Sequence, residues 1–220
     1  MNVGESPAGT LKSVAAVQTV PDLKEGDTFT FGNYYQEGSL KTPIEWLVLK
    51  RSGSQVLLIS RYALDCRPYQ HECVNIVTWE NSDLRKWLNG EFLKSAFNSS
   101  EQERIPVTRV ANDHNSRHGT FGGNSTEDRI FLLSMAEAES LFKDDEARKC
   151  VSTTYASEKD VWQSRNFFID GRSCCFWWLR SPGYCRNDAT VVCTDGAISP
   201  GGCLVNNDGD AVRPALWVNL

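Results

Sequence analysis

Eight cysteines are the residues of this 220-residue chain with the widest range of possible chemistry. Thiolates coordinate metals, form disulfides and act as nucleophiles. No two are spaced as Cys-x-x-Cys, which disfavours a zinc site, and a bond between the neighbours Cys174 and Cys175 would be strained. An even count also fits the disulfides of a secreted protein. We predict mainly free thiols in a reducing compartment; the cysteines stand at positions 66, 73, 150, 174, 175, 185, 193 and 203.

Histidines and side-chain oxygens offer further chemistry. His114 and His118 are four residues apart, a spacing that would align two metal ligands on a helix, but the surrounding Asn, Ser and Gly favour a loop. The runs Asn187-Asp188 and Asn206-Asn207-Asp208 provide oxygen ligands for calcium without the spacing of an EF-hand. No Ser-His-Asp or HExxH pattern supports hydrolysis. We therefore predict no catalytic residue, no metal site and no cofactor.

The C-terminal region has the pattern of a rigid frame that presents loops. FWWL at 176–179 and ALWV at 215–218 are apolar and aromatic. Between them, residues 184–210 are rich in Gly, Asn, Asp and Cys. Loops held by a rigid scaffold are common sites of ligand binding.

The same segment lacks five residue types. Residues 184–210 contain no Lys, Glu, Gln, Trp or Met, although these types make up 38 of the 220 residues. Composition alone predicts roughly 5 of them in a segment of this length. Randomising the adenines of AAY asparagine codons would leave such a gap, because no NNY codon encodes these five types. A Gly- and Asn-rich loop region that simply lacks long side chains is the alternative.

Blocks along the chain resemble a bacterial family of uncharacterised function whose members end in WWLRSPG…DG…VRPALW. These blocks stand here at 177–183, 195–196 and 212–217. The resemblance covers about residues 27–220. Further matching blocks are PIEWLVL (43–49), LLISRYALDCRPY (57–69), TWENSDLRKWLN (78–89), AFNSSEQERI (96–105), GGNSTEDRIFLLSMAEAESLF (122–142) and TTYA (153–156).

Some members of that family are similar to the variable proteins of diversity-generating retroelements, whose C-terminal codons are rewritten by adenine-directed mutagenesis. The resemblance implies an α+β fold of the C-type-lectin-like (formylglycine-generating-enzyme-like) class. Such a fold has small antiparallel sheets, two or three helices and long loops. It also implies a hypervariable face that binds ligands.

The resemblance assigns roles to individual positions. Tyr184 and Arg186 are of the residue types that anchor interfaces. The frame would consist of large rings and of guanidinium groups that bind loop carbonyls or carboxylates, namely Trp177, Trp178, Arg180, Arg213 and Trp217. The exchangeable, ligand-binding positions would be Tyr184, Cys185, Arg186, Asn187, Asp188, Val191, Cys193, Thr194, Ser199, Pro200, Gly202, Cys203, Leu204, Asn206, Asn207, Asp208 and Asp210.

The sequence is compatible with three functions. The first is a non-catalytic module whose diversified face binds a protein or a glycan, and this is the function we predict. The second is a static lectin-like module that binds calcium or sugar through the Asn and Asp runs, although the lectin signature is absent. The third is an oxidase of the formylglycine-generating type, in which paired cysteines bind copper. The adjacent Cys174 and Cys175 have poor geometry for that arrangement.

Length, charge and the lack of long apolar runs limit the classes of protein to which this chain can belong. A net charge of −5 argues against general binding of nucleic acid. No apolar run approaches the roughly 20 residues of a membrane span, and the first residues lack the pattern of a signal peptide. We predict a tail or linker at 1–25 and one domain at 26–220, with the variable region at 174–211. Location in the cytoplasm, on a phage or at a cell surface through a partner is left open.

Local patterns predict the elements that position the first half of this domain. Apolar runs indicate strands at 28–31, 44–50 and 56–60, the last two joined by a hairpin turn at 51–54. Asn81 or Ser82 caps a helix at 83–89, which Gly90 ends before a further helical turn. A loop follows at 110–126.

The second half has shorter elements. A strand is predicted at 129–133, followed by a helix from the Ser134–Glu137 capping box to about Phe142. The acidic run 144–146 is interpreted as a solvated helix end, and 161–172 as a loop. Short strands at 191–192 and 197–198 flank a turn, and Val205 is buried. The final strand, 212–218, is interrupted by Pro214 and is expected at a sheet edge or bulge, paired with an N-terminal strand.

Overall fold

The computed structural model describes residues 22–220 and shows a mixed α+β architecture of small, mainly antiparallel sheets with short helices. The predicted tail at 1–25 lies outside these residues except for positions 22–25. The strands are β1 (Thr28–Glu37), β2 (Leu40–Ser52), β3 (Gln55–Ser60), β4 (Asp65–Cys66), β5 (Thr108–Val110), β6 (Thr126–Asp128), β7 (Ile130–Phe131), β8 (Gln163–Ile169), β9 (Arg172–Cys175), β10 (Trp177–Pro182), β11 (Asp188–Val192), β12 (Ile198–Leu204), β13 (Ala211–Val212) and β14 (Ala215–Asn219).

The first sheet joins the two ends of the described chain. Its order is β1-β2-β3-β14-β7, and the β2–β3 hairpin forms as the sequence predicts. β14 pairs antiparallel with β3 from Ala215 opposite Ile59 to Asn219 opposite Gln55. The predicted pairing of the last strand with an N-terminal strand is therefore confirmed. Its predicted edge position is wrong, because β7 pairs with the other side of β14.

The second sheet carries the C-terminal segment, in the order β12-β11-β10-β13-β4. β13 pairs parallel with β10 and antiparallel with β4, whereas β14 belongs to the first sheet. Pro214 lies between β13 and β14, and its carbonyl accepts a hydrogen bond from the Ser60 amide at 3.0 Å. The single strand predicted at 212–218 is thus two strands in two sheets, because proline has no amide donor with which to continue one ladder.

The helices are short, and all except Leu93–Ala96 begin with a side-chain cap. Ser82 caps the first and Ser134 forms the predicted capping box with Glu137. The helices are α1 (Asp83–Trp87), α2 (Leu93–Ala96), α3 (Ser99–Glu103), α4 (Met135–Leu141), α5 (Asp145–Arg148) and α6 (Thr154–Ser157). Within residues 22–220, none of these helices is long and apolar enough to cross a membrane.

Gly90 does not end the first helix as predicted, because it lies inside a π-helical turn, Leu88–Phe92, that leads directly into α2. The Asn89 side chain fastens this turn to the backbone at the start of β7. Its amide donates to the Ile130 carbonyl at 2.8 Å, and its oxygen accepts from the Arg129 amide at 2.8 Å. The Arg129 amide thus donates to a side chain and not to a neighbouring strand. The strand predicted at 129–133 is shortened to β7. Tertiary contacts override the helix-ending tendency of glycine here.

One other prediction is wrong for a local reason. Residues 161–172 were expected to form a loop but contain the β8–β9 hairpin, closed by Asp170-Gly171 with positive φ angles of 50° and 76°. Nearly every residue of β8 is exposed or half-exposed, so no alternation of apolar residues marks it. The acidic run at 144–146 is exposed at a helix end, as predicted, and that end is the start of α5, where the Asp144 carboxylate accepts from the Ala147 amide at 2.9 Å.

Candidate functional site

The predicted variable region is built on an antiparallel unit of β10, β11 and β12. Trp178 of β10 lies opposite Val191, and Val191 lies opposite Ser199 of β12. β12 forms the outer edge of its sheet, and all of its residues are half-buried or exposed. Side chains from this edge and from the adjoining turns are therefore available to a ligand.

The structure sorts the predicted ligand-binding positions by depth. Two are buried: Val191 is 1% exposed and Asp210 is 2% exposed. The half-buried positions are Asn187, Asp188, Cys193, Thr194, Ser199, Pro200, Gly202, Cys203 and Asn207. The exposed positions are Tyr184, Cys185, Arg186, Leu204, Asn206 and Asp208. Val191 belongs to the hydrophobic core and cannot touch a ligand in this conformation.

A cleft of about 490 Å³ opens beside β12. We call it the ligand cleft; it is lined by Trp162, Phe176, Cys203, Leu204, Asn206, Asn207 and Asp210. Five of these seven residues are among the predicted exchangeable positions, and the remaining two are aromatic. A pocket with apolar walls and a few convergent polar groups has the usual composition of a binding site.

Asp210 supplies the buried charge of this cleft. Its carboxylate accepts a hydrogen bond from the Asn207 side-chain amide at 2.9 Å. Burial raises the pKa of Asp210 to about 6, although hydrogen bonds from Cys203 and Asn207 act in the opposite direction. Burial of the Cys203 thiol, together with the negative charge of Asp210, raises the pKa of Cys203 to about 12. At neutral pH the cleft therefore contains a poorly solvated carboxylate beside a protonated thiol.

Trp162 forms one wall and was not predicted as a site residue. It precedes β8, its side chain is 64% exposed, and its backbone amide donates to the Gly209 carbonyl at 2.8 Å. The indole packs so closely on Gly209 that a Cβ at that position would lie 2.0 Å from the ring. Gly209 therefore permits the contact between Trp162 and the predicted variable region. A lone tryptophan among polar residues was the available signal.

Tyr184 lies on a second exposed surface formed with the loop at 111–125. Its ring makes an edge contact with His118, with 5.0 Å between centroids, and its carbonyl accepts from the Thr120 hydroxyl at 2.8 Å. His114 packs instead on Phe121. Both histidines lie in the predicted loop. Within residues 22–220, no three His, Cys, Asp or Glu side chains converge as a metal site would require.

Asn115 ties this loop to the variable region. It is buried, and its amide donates to the carbonyls of Pro182 at 2.7 Å and Pro200 at 2.8 Å. Its oxygen accepts from the amides of Arg117 and His118 at 2.9 and 3.1 Å. The Asn115 side chain thus ties this loop to the last residue of β10 and to β12.

We expect Asn115→Ala to lower the free energy of unfolding by about 1–3 kcal/mol, because buried carbonyls lose their donor. Urea denaturation monitored by tryptophan fluorescence measures this loss. Ser116→Ala, at an exposed position of the same loop, is the control and should leave stability unchanged. Equal midpoints for the two variants would contradict the role given to Asn115.

The five predicted frame residues lie behind the variable region. Trp177 and Trp178 are fully buried, and their indole nitrogens donate to the carbonyls of Arg148 at 3.2 Å and Arg67 at 3.0 Å. Arg213 is buried against the Trp177 ring. Arg180 donates to the Leu132 carbonyl at 2.7 Å. Trp217 is only partly buried and packs at the edge of the core.

Arg180 also forms an ion pair with Glu137, the residue that completes the capping box of α4. Burial alone would raise the pKa of Glu137, but the hydrogen bond and charge of Arg180 lower it below its usual value. A second donation, to the Ala111 carbonyl at 2.9 Å, links the same guanidinium to the start of the 111–125 loop. Arg180 thus connects α4, β10 and that loop.

Residues 53–220 match a family model described as "Domain of unknown function (DUF6273)". The chain belongs to the DUF6273 family. Comparison with curated proteins and with solved structures finds no match. The DUF6273 region contains the ligand cleft, the frame and every predicted exchangeable position. β1 and β2 precede the matched residues and complete the first sheet beside β3.

The cysteines considered for copper binding and the oxygen-bearing side chains considered for calcium binding also lie within the DUF6273 region. Cys174 and Cys175 are consecutive residues of β9, so their side chains point to opposite faces of the strand. They cannot coordinate one copper ion together. The thiol of Cys175 contacts Cys150 instead. Asp188 accepts from the Cys185 amide at 2.9 Å, and Asn207 bonds to Asp210. These oxygen-bearing side chains are already engaged in their own turns.

Proposed function

We propose that this protein is a non-catalytic ligand-binding module, the variable protein of a diversity-generating retroelement, with a C-type-lectin-like scaffold. Its hypervariable face binds a protein or a glycan. The observation that carries the proposal is the convergence of predicted exchangeable positions on one cleft. Cys203, Leu204, Asn206, Asn207 and Asp210 line it together.

The separation of face from frame supports this function. The exposed positions make few contacts with the core, whereas the frame residues bind backbone carbonyls from distant segments. Substituting an exposed residue therefore leaves the frame intact. A diversified binder needs this arrangement, because each new sequence must fold before it can be selected for binding.

The chemistry of the ligand cleft favours a ligand with both an apolar surface and hydrogen-bond donors. Trp162, Phe176 and Leu204 supply apolar contact, and the Asp210 carboxylate accepts from a hydroxyl or ammonium group. Sugars and peptide side chains both combine these features. Tyr184, beside the opposite part of β12, donates its amide to the Gly201 carbonyl at 2.8 Å and extends the face.

The encoding DNA tests the proposal. A near-copy of the codons for residues 177–217, next to a reverse-transcriptase gene and with adenines wherever the copies differ, is the expected finding. Sequence differences between genomic copies should cluster at the exposed and half-buried positions named above, except Gly202, where a side chain would clash with the Ala189 carbonyl. Differences spread evenly through the helices would contradict diversification. Binding to a glycan panel that depends on calcium and is reversed by chelator would support the static lectin function in its place.

Folding stability provides a second test at the level of the protein. We expect Tyr184→Ser, Arg186→Ser and Leu204→Ser each to change the free energy of unfolding by less than about 0.5 kcal/mol, because all three side chains are exposed. Urea denaturation of each purified variant measures the change. Val191→Ser is the control, since it buries a hydroxyl in the core and should cost more than about 2 kcal/mol. Losses at the surface positions as large as that of Val191→Ser would contradict a tolerant face.

A further inference from the structure

Two cysteines far apart in sequence meet in the core. An antiparallel bridge pairs Val151 with Cys174, which places Cys150 opposite Cys175. The Cys175 amide donates to the Cys150 carbonyl at 2.8 Å, and the Cys175 sulfur lies 3.5 Å from the same oxygen. Residues that lie opposite each other in an antiparallel pair have Cα atoms about 4.5–5.5 Å apart, within the range of about 4.4–6.8 Å that a disulfide spans.

A buried guanidinium faces this pair. Arg213 is 1% exposed, and it donates to the carbonyls of Ser60 at 2.9 Å and Arg148 at 3.3 Å. Among residues 22–220, no carboxylate lies within ion-pair distance of Arg213. Burying a charge without a counter-ion is costly. A thiolate in the cysteine pair would supply the missing negative charge.

The electrostatics of the two thiols differ. Burial opposes ionisation of the Cys150 thiol, but the adjacent Cys175 thiol and the positive charges of Arg213 and Arg172 favour it, and together they lower the pKa of Cys150. The hydrogen bond to Cys150, together with burial, raises the pKa of Cys175 well above its usual value. The pair therefore contains one nucleophilic sulfur and one proton donor, and thiolate is the reactive form.

Cys150 lines a second cleft of about 340 Å³ together with Arg61, Lys149 and Arg213. We call this the cationic cleft. None of its lining residues belongs to the ligand cleft. A small polar molecule in this cleft would lie against Cys150 and the neighbouring cationic side chains.

We propose that Cys150 and Cys175 form a redox-active dithiol, which a hydroperoxide that enters the cationic cleft oxidises to a disulfide. The Cys150 thiolate attacks the terminal peroxide oxygen, and the O–O bond breaks to give a sulfenic acid and an alkoxide or hydroxide that takes up a proton. The Cys175 sulfur then attacks the sulfenic sulfur. The S–O bond breaks, the S–S bond forms, and hydroxide leaves as water with the Cys175 proton. Two thiols lose two electrons and two protons, and the peroxide becomes water and an alcohol, or two waters.

Peptide mapping of the native full chain tests this inference. The reduced protein is treated with hydrogen peroxide, its remaining thiols are alkylated, and it is digested with trypsin without reduction. Cleavage after Lys149, Lys159, Arg172 and Arg180 gives peptides 150–159 and 173–180. We expect these two peptides to appear joined, with a mass two hydrogens below their sum.

Matched variants identify the partner sulfur, because peptide 173–180 contains two cysteines. Cys174→Ser should keep the linked peptides, and Cys175→Ser should lose them. Full alkylation of both wild-type peptides, at a peroxide dose that oxidises the exposed Cys73 and Cys185, would overturn the proposal. A link that persists in Cys175→Ser would overturn it as well. The wild-type measurement stands even if a variant fails to fold.

Discussion

Gly202→Ala is expected to lower the free energy of unfolding by about 2–5 kcal/mol, the sum of a left-handed backbone penalty and a packing clash. Gly202 has a φ angle of +72°, and a Cβ there would lie 2.0 Å from the Ala189 carbonyl oxygen of the paired strand. Neither the backbone angle nor the facing carbonyl can change without breaking the β11–β12 ladder. Equilibrium urea denaturation at neutral pH measures the loss.

Gly201→Ala is the matched control, because nothing lies within 4 Å of a Cβ built at Gly201. It should be neutral or slightly stabilising. Equal losses at the two positions would show that the clash with Ala189 is not the cause. The result also limits the proposed diversification. Although Gly202 is among the predicted exchangeable positions, folded copies of the protein should retain glycine there.

Asp210→Asn is expected to raise the free energy of unfolding at pH 7 by up to about 3 kcal/mol, the equivalent of a pKa shift of about two units. The wild-type carboxyl has a pKa of about 6, against an ordinary value of 3.8. At pH 7 the folded protein must therefore hold a charge that the unfolded chain solvates better. Asparagine removes that charge and keeps one oxygen to accept from Asn207.

The pH dependence has a definite sign. Between about pH 4 and pH 6 the folded protein binds a proton that the unfolded chain has released. Asp210 therefore contributes stability at low pH, which is lost as pH rises through about 6. The free energies of unfolding of the wild type and of Asp210→Asn are measured by urea denaturation from pH 4 to pH 7. Their difference separates the contribution of Asp210 from those of the other carboxyls. Asp208→Asn, at an exposed position, should leave the wild-type curve unchanged, and a flat difference for Asp210→Asn would contradict its assigned environment.

A stabilising Asp210→Asn variant would bear on function. A buried carboxylate that lowers stability at neutral pH is commonly associated with a functional site. In the proposed binding module, this carboxylate is the hydrogen-bond acceptor at the bottom of the ligand cleft. The variant should therefore fold more stably and bind its ligand less tightly.

Local sequence signals determined several elements of this protein. The β2–β3 hairpin follows from two apolar runs around a Gly-containing turn, and α4 follows from the Ser134–Glu137 capping box. Caps and short turns depend on contacts within a few residues, so they can be read from the chain itself. The composition of residues 184–210 marked the segment that carries most of the ligand cleft.

Other features were decided only by the tertiary structure. Pro214 divides one apolar run between two sheets, and Asn89 holds a π turn around Gly90 by binding backbone from β7. The sequence indicated neither, because each depends on which distant backbone groups are present. The β8–β9 hairpin escaped detection because both of its faces are largely exposed, although Asp170-Gly171 is a common hairpin turn.

The sequence by itself determined that two apolar, aromatic blocks enclose a polar segment rich in Gly, Asn and Asp, and it predicted ligand binding there. Only the tertiary structure decided which residues of that segment reach solvent, burying Val191 and Asp210 and bringing Trp162 to the cleft. It also placed Cys150 beside Cys175. The physical reason is the same throughout: burial and charge are properties of contacts between residues distant in the chain, and no local pattern of residue types records them.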